Sequence, residues 1–203
     1  MTTISEILRN NYTDGNSMFH THVSLIQPKG SFQLDRHTLE NFWEKYCLII
    51  DTDIHVGIAE KSQHFLPVLV DVDLKIDATI FESINQEIQR EHIYTQEHII
   101  KIIEIYHSVL RNIVQDCSDE HLICVLLEKP IYHVNKGSIS YLKNGFHLHF
   151  PYLFINKDDQ QAQLVPRIKE LVRDGNIFAD LGIENSGDMI DNCLLYTSPS
   201  PRD

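Results

Sequence analysis

Residues 65 to 74 read Phe-Leu-Pro-Val-Leu-Val-Asp-Val-Asp-Leu. In a strand, successive side chains point to opposite faces. Val68, Val70, Val72 and Leu74 therefore share one face, and Leu69, Asp71 and Asp73 share the other. Two residues along a strand advance about 6.6 Å, so the two carboxylates stand side by side with their tips free to converge. Like charges held that close repel, and burial raises the cost. Either the strand surfaces there as a solvated end, or something positive sits between the acids. A divalent cation is one such group, because carboxylates holding hard cations are a common device for phosphoryl transfer.

A second stretch carries a matching pattern. In Gly-Phe-His-Leu-His-Phe, residues 145 to 150, the alternation puts Phe146, Leu148 and Phe150 on one face and His147 and His149 on the other. Lys143 and Gly145 stand just before it. Lys143 is a point charge suited to phosphate, and the His147 imidazole can donate a hydrogen bond to a phosphate oxygen. A surface or satisfied histidine is the plain reading of His149.

The other elements follow from periodicity and turn chemistry. Leu39, Phe42, Trp43 and Tyr46 have helical spacing within residues 37–50. Pro28 to Phe32 reads as a turn into a short strand, and His55 to Lys61 reads as a strand. Pro67 marks an edge or a bulge. Residues 95–116 are the clearest helix, with Thr95 as cap and a stripe of Ile99, Ile102, Ile103, Tyr106, Leu110, Ile113 and Val114. His121 to Lys129 is a continuous apolar run, expected as a strand buried on both faces. A polar loop is expected over 130–144, a strand over 145–155, and a helix over 158–173 that Pro166 starts or kinks. Strands and helices interleave without a strict βαβ rhythm, which predicts an α+β fold with a mixed or antiparallel central sheet.

The 203-residue chain is 42% hydrophobic, enough for a real core. Its formal net charge of −12 argues against a surface that coats nucleic acid throughout, since phosphate contacts need Lys and Arg. Lys61, Lys75, Lys129, Lys136 and Lys143 fall at strand ends or in loops and can line a local basic groove. Cys47, Cys117, Cys124 and Cys193 form no CxxC pair, which disfavours structural zinc, including a site around His121. No run approaches the roughly 18 apolar residues of a membrane span, and no signal peptide is evident, so no membrane partner is expected and an intracellular protein is the reading. Residues 193–203 read as a non-native, adapter-derived tail, which leaves 1–192 as one domain, incomplete at its carboxy terminus.

An apolar strand ending in Asp-x-Asp, a Gly-Phe-His strand some 70 residues later and a hydrophobic-Asp beyond it form an ordered set. Here these are Leu69 to Asp73, Lys143 to Pro151, and Met189 to Asp191. The set resembles the catalytic core of archaeo-eukaryotic primases. The likeness is nearest to the amino-terminal primase domain of primase–helicases from large nucleocytoplasmic DNA viruses, where a Leu-Lys pair commonly follows the first motif, as Leu74 and Lys75 do here.

The resemblance implies a primase-like core with an RNA-recognition-like sheet flanked by helices. It implies Asp71, Asp73 and Asp191 as catalytic metal ligands, with Asp188 a near competitor for the third place. It implies His147 at the nucleotide phosphates, with Lys143 beside it, and Mg²⁺ or Mn²⁺ in a two-metal site. Single-stranded DNA template and nucleoside triphosphates would be the partners, with a helicase domain in the same full-length chain. Two other readings stand beside it. One is a metal-dependent hydrolase or oxygenase using Asp71, Asp73, His147 and His149 as a mixed ligand set. The other is a nucleic-acid-binding module without turnover.

Overall fold

The architecture comes from a computed structural model, which describes residues 3–14, 19–49, 52, 57–61, 64–84 and 91–191. The chain divides into two compact units between Ser62 and Gln63.

In the first unit, Thr3 and Glu6 form a reciprocal capping box that starts α1 (Ile4–Asn10). Short strands follow, β1 (Tyr12–Thr13), β2 (His22–Ser24) and β3 (Gly30–Phe32), then α2 (Arg36–Cys47) and β4 (Ile58–Glu60). The Asp35 side chain accepts from the Thr38 amide at 2.8 Å and so begins α2. The strands lie in the order β1-β3-β2-β4, all antiparallel. Ile7, Leu8, Phe32, Leu34 and Phe42 form the core, with Leu39 and Tyr46 partly buried against it. Trp43 is exposed, so the expected helical stripe is narrower than its spacing suggested. Of the strand expected at 55–61, Ile58–Glu60 is observed, and residues 55 and 56 lie outside the described residues.

The second unit runs β5 (Phe65–Asp77), α3 (Ala78–Ile84), α4 (Gln96–Ile113), β6 (Val125–Lys136), β7 (Ile139–Asn156), α5 (Lys157–Asp159), α6 (Val165–Asp174) and β8 (Ile190–Asp191). A π-helical turn, Gln160–Leu164, joins α5 to α6. The sheet order is β6-β7-β5-β8 and every pair is antiparallel. Counted within the unit, strands one to four lie 2-3-1-4 with helices after the first and third. That is the β-α-β-β-α-β arrangement of ferredoxin-like and RNA-recognition-like sheets, so the sheet is antiparallel rather than mixed.

The alternation seen in the sequence fixes which face is buried. Val68, Val70, Val72 and Leu74 of β5 and Phe146, Leu148 and Phe150 of β7 are all 0–1% exposed. They pack with Ile99, Ile102, Tyr106 and Leu110 of α4 and Ile168 and Val172 of α6. Burying each such side chain contributes about 1.5–3 kcal/mol, so this face sets the register. Thr95 caps α4 by accepting from the His98 amide. Pro67 enters at a bulge of a central strand: Pro67 faces Phe154, whereas Val68 faces Phe150. Buried Gln160 donates to the carbonyls of Leu66 and Ile155, both at 3.1 Å, and satisfies the backbone groups that the bulge leaves over.

Two expectations fail around β6. His121 and Leu122 belong to a 3-10 turn, Asp119–Leu122, and β6 is an edge strand with Val125, Leu126 and Leu127 exposed. An unbroken apolar run reads as doubly buried, but the face of Val125 and Leu127 lies away from the helices. Residues 130–144, expected as a loop, form most of a β-hairpin that turns through Gly137 at φ +65°. Its polar residues are those of an exposed ribbon, which carries no apolar alternation to announce a strand.

Candidate metal centre

Alternation turns Asp71, Asp73 and His147 to the face opposite the helices, and register sets them beside one another. Asp71 pairs with His147 on one side and with Asp191 on the other, and Asp73 pairs with Gly145. Ile190 is 1% exposed and belongs to the core, so the next residue, Asp191, turns to the same face as Asp71. One ligand atom from each of Asp71, Asp73 and Asp191 lies within 4.8 Å of the others. Asp71 is buried, while Asp73 and Asp191 are exposed.

A residue that was only one of several nearby lysines in the sequence stands at the centre. Lys129 Nζ donates to Oδ1 of Asp71 and to Oδ1 of Asp73, both at 2.5 Å. Lys129 faces Gly145 across the β6–β7 pair, and Gly145 faces Asp73 across the next. The lysine therefore spans a whole strand to reach the acids, over a residue with no side chain. A Cβ at position 145 would meet the Val72 carbonyl oxygen at 2.0 Å. No spacing rule in one strand pairs Lys129 with residues two strands away, so only the register reveals it.

His147 Nε2 lies 3.0 Å from Asp71 Oδ1. The contact has the distance of an ion pair without the angles of a hydrogen bond, and Nε2 is a buried nitrogen with no hydrogen-bond partner. Burial raises the cost of ionising Asp71, but His147 and Lys129 together outweigh it, so the carboxyl sits below the ordinary carboxylate range.

Buried Asn144 supports this arrangement from beneath. Its Oδ1 accepts from the Ile93 amide at 2.9 Å, and its Nδ2 donates to the Lys129 carbonyl at 2.6 Å. The β6–β7 register slips between Lys129 and Tyr132, and Asn144 fills the bonding gap there. Tyr94 donates to the Gly145 carbonyl at 3.2 Å. Burial, and then Glu128, push the Tyr94 hydroxyl well above the ordinary tyrosine range, so it remains a donor.

The remaining candidates are placed as follows. Lys143 faces Lys75 and Tyr132, about 13 Å along β7 from His147 by strand rise. His149 faces Leu69 and Val125, and it is not part of the three-carboxylate cluster. Asp188 sits in a 3-10 turn and accepts from Asn185 at 2.8 Å, so Asp191 is the member of the cluster. Among the described residues, Cys117, Cys124 and His121 form no ligand cluster, and neither histidine of β7 joins one. No helix among the described residues is long and apolar enough to cross a membrane.

The second unit thus combines an antiparallel RNA-recognition-like sheet with three aspartates gathered on the face opposite the helices. Residues 21–202 match the family model described as the C962R protein N-terminal AEP domain, and the chain belongs to that family of archaeo-eukaryotic primase domains. The matched span includes residues 193–202, which lie outside the described residues.

The chain is similar to "Putative helicase 121R" of Invertebrate iridescent virus 3, with 35% identity over 195 residues, 91% of this chain and 20% of that protein. It is also similar to "Putative helicase 184R" of Invertebrate iridescent virus 6, with 31% identity over 168 residues, 79% of this chain and 17% of that protein. The chain thus spans about a fifth of the length of these relatives.

Proposed function

We propose that this domain is a DNA-directed primase, a nucleotidyltransferase that makes primers on single-stranded DNA from nucleoside triphosphates during viral DNA replication. The observation that carries the reading is the meeting of Asp71, Asp73 and Asp191, from two neighbouring strands, within 4.8 Å. Three carboxylates with one deeply buried member suit Mg²⁺ or Mn²⁺, which prefer oxygen donors. Bound there, such ions would supply the charge stabilisation that phosphoryl transfer requires and would ease deprotonation of the attacking 3′-hydroxyl.

The chain's own residues do the rest. Asp71, buried in a central strand, would hold the ion together with Asp73 and Asp191 at exposed positions. The buried Nε2 of His147 faces the same point and is ready to donate to a phosphate oxygen of the incoming nucleotide. Lys143, further along the strand, adds positive charge for the triphosphate or the template backbone. The printed names of the viral relatives, both putative helicases, support a helicase domain in the same full-length protein, and an intracellular site of action belongs to the same proposal.

The test is primer synthesis on a single-stranded template with labelled triphosphates, comparing wild type with Asp71→Ala and Asp73→Ala in the full-length protein. Loss of products in both variants is expected. Undiminished products would exclude the mechanism.

A further inference from the structure

Lys129 stands where the proposed cation would lie. Its ammonium is shared by Asp71 and Asp73, at 2.5 Å from each, and its side chain is 15% exposed. Its backbone carbonyl is held by Asn144, and it faces Gly145 across the β6–β7 pair. A single positive charge here relieves the repulsion between two aspartates, one of them buried. A divalent ion drawn to the same oxygens meets that ammonium at close range, and two cations within about 4 Å repel strongly in a partly buried site.

We propose that Lys129 is a built-in counter-ion that exchanges with the divalent cation. Before the ion arrives, the ammonium lies between Asp71 and Asp73 and holds the two carboxylates converged. When the ion binds, the lysine withdraws and frees their oxygens. The flexible four-carbon stem lets the ammonium swing without moving a strand. The site thus stays assembled without metal, at the cost of weaker metal affinity. This inference rests on the metal-site reading above.

The test reads Mn²⁺ binding and lysine accessibility, with no turnover involved. Free Mn²⁺ is measured by electron paramagnetic resonance during titration of wild type, Lys129→Met and Lys129→Arg. Lys129→Met is expected to bind about tenfold more tightly than wild type, or about 1.4 kcal/mol. Lys129→Arg, which keeps the charge, should stay near wild type. Equal or weaker binding by a folded Lys129→Met would overturn the exchange. In wild type, acetylation of Lys129 mapped by mass spectrometry should be slow in chelator and several-fold faster in saturating Mn²⁺. Unchanged protection at saturation would also overturn it. If wild type binds no Mn²⁺ at all, the three-carboxylate reading fails first, and that outcome is distinct from the other two.

Discussion

Asp71 and His147 face each other across adjacent antiparallel strands, with imidazole Nε2 3.0 Å from carboxylate Oδ1. One strand position away along the same face of β7, His149 faces Leu69 and Val125 instead. The two histidines of one short motif therefore stand in different surroundings.

His147→Ala should weaken nucleoside triphosphate binding by roughly 10- to 100-fold, the loss of one charge-assisted hydrogen bond worth about 1.5–3 kcal/mol. His149→Ala should leave Mn²⁺ affinity unchanged. Calorimetric titration of both variants with Mn²⁺ and with a non-hydrolysable triphosphate measures this. Loss of Mn²⁺ binding in His149→Ala would instead favour a mixed histidine–carboxylate centre.

Gly145→Ala should destabilise the second unit by about 1–3 kcal/mol, as overpacking does. The added methyl collides with the Val72 carbonyl and must push β7 from β5, where Asp71 and Asp73 lie. Urea unfolding gives the stability. A wild-type midpoint would show that the two strands are not this close.

Asn144→Ala should cost about 1–3 kcal/mol for each buried partner that it strands, the Ile93 amide among them. Hydrogen exchange at Ile93 should quicken, and the lysine held through its carbonyl should lose its fixed starting point. Unaltered exchange at that amide would show the bond to be dispensable.

His22, buried in β2, supplies a pH dependence in the first unit. Burial lowers its pKa below 6.5, against an opposing pull from Glu60. The unfolded chain then binds the proton more readily than the folded one, so stability rises with pH through this window. The contribution is fully present above about pH 6.5 and is lost as pH falls toward and through the folded value. Thermal melts from pH 7.5 to 5 should show falling stability, and His22→Gln should flatten the slope. An equal slope in the variant would assign the acid sensitivity elsewhere.

Much of this was legible in the sequence where alternation is strict. Val68 to Leu74 and Phe146 to Phe150 announce their buried faces, and so place Asp71, Asp73 and His147 without a structure. Ile190 and Asp191 obey the same rule, but over a strand too short to show a period. β6 misled because an apolar run looks the same at an edge as at a centre. Lys129 was invisible as a partner because its contact depends on the β5–β7–β6 register, which a single strand does not encode. Asn144 and Tyr94 act through backbone carbonyls, for which no side-chain pattern exists.

The third carboxylate belongs to a strand of only two residues, joined to the sheet by pairing with Asp71 and Val72. Its ladder to β5 is correspondingly short. An ion gripped by all three acids would rivet β8 to β5, so a chelator should loosen the amides of Ile190 and Asp191 before those of the other described strands in the sheet. Ion binding and docking of β8 on β5 would then be one event, each strengthening the other.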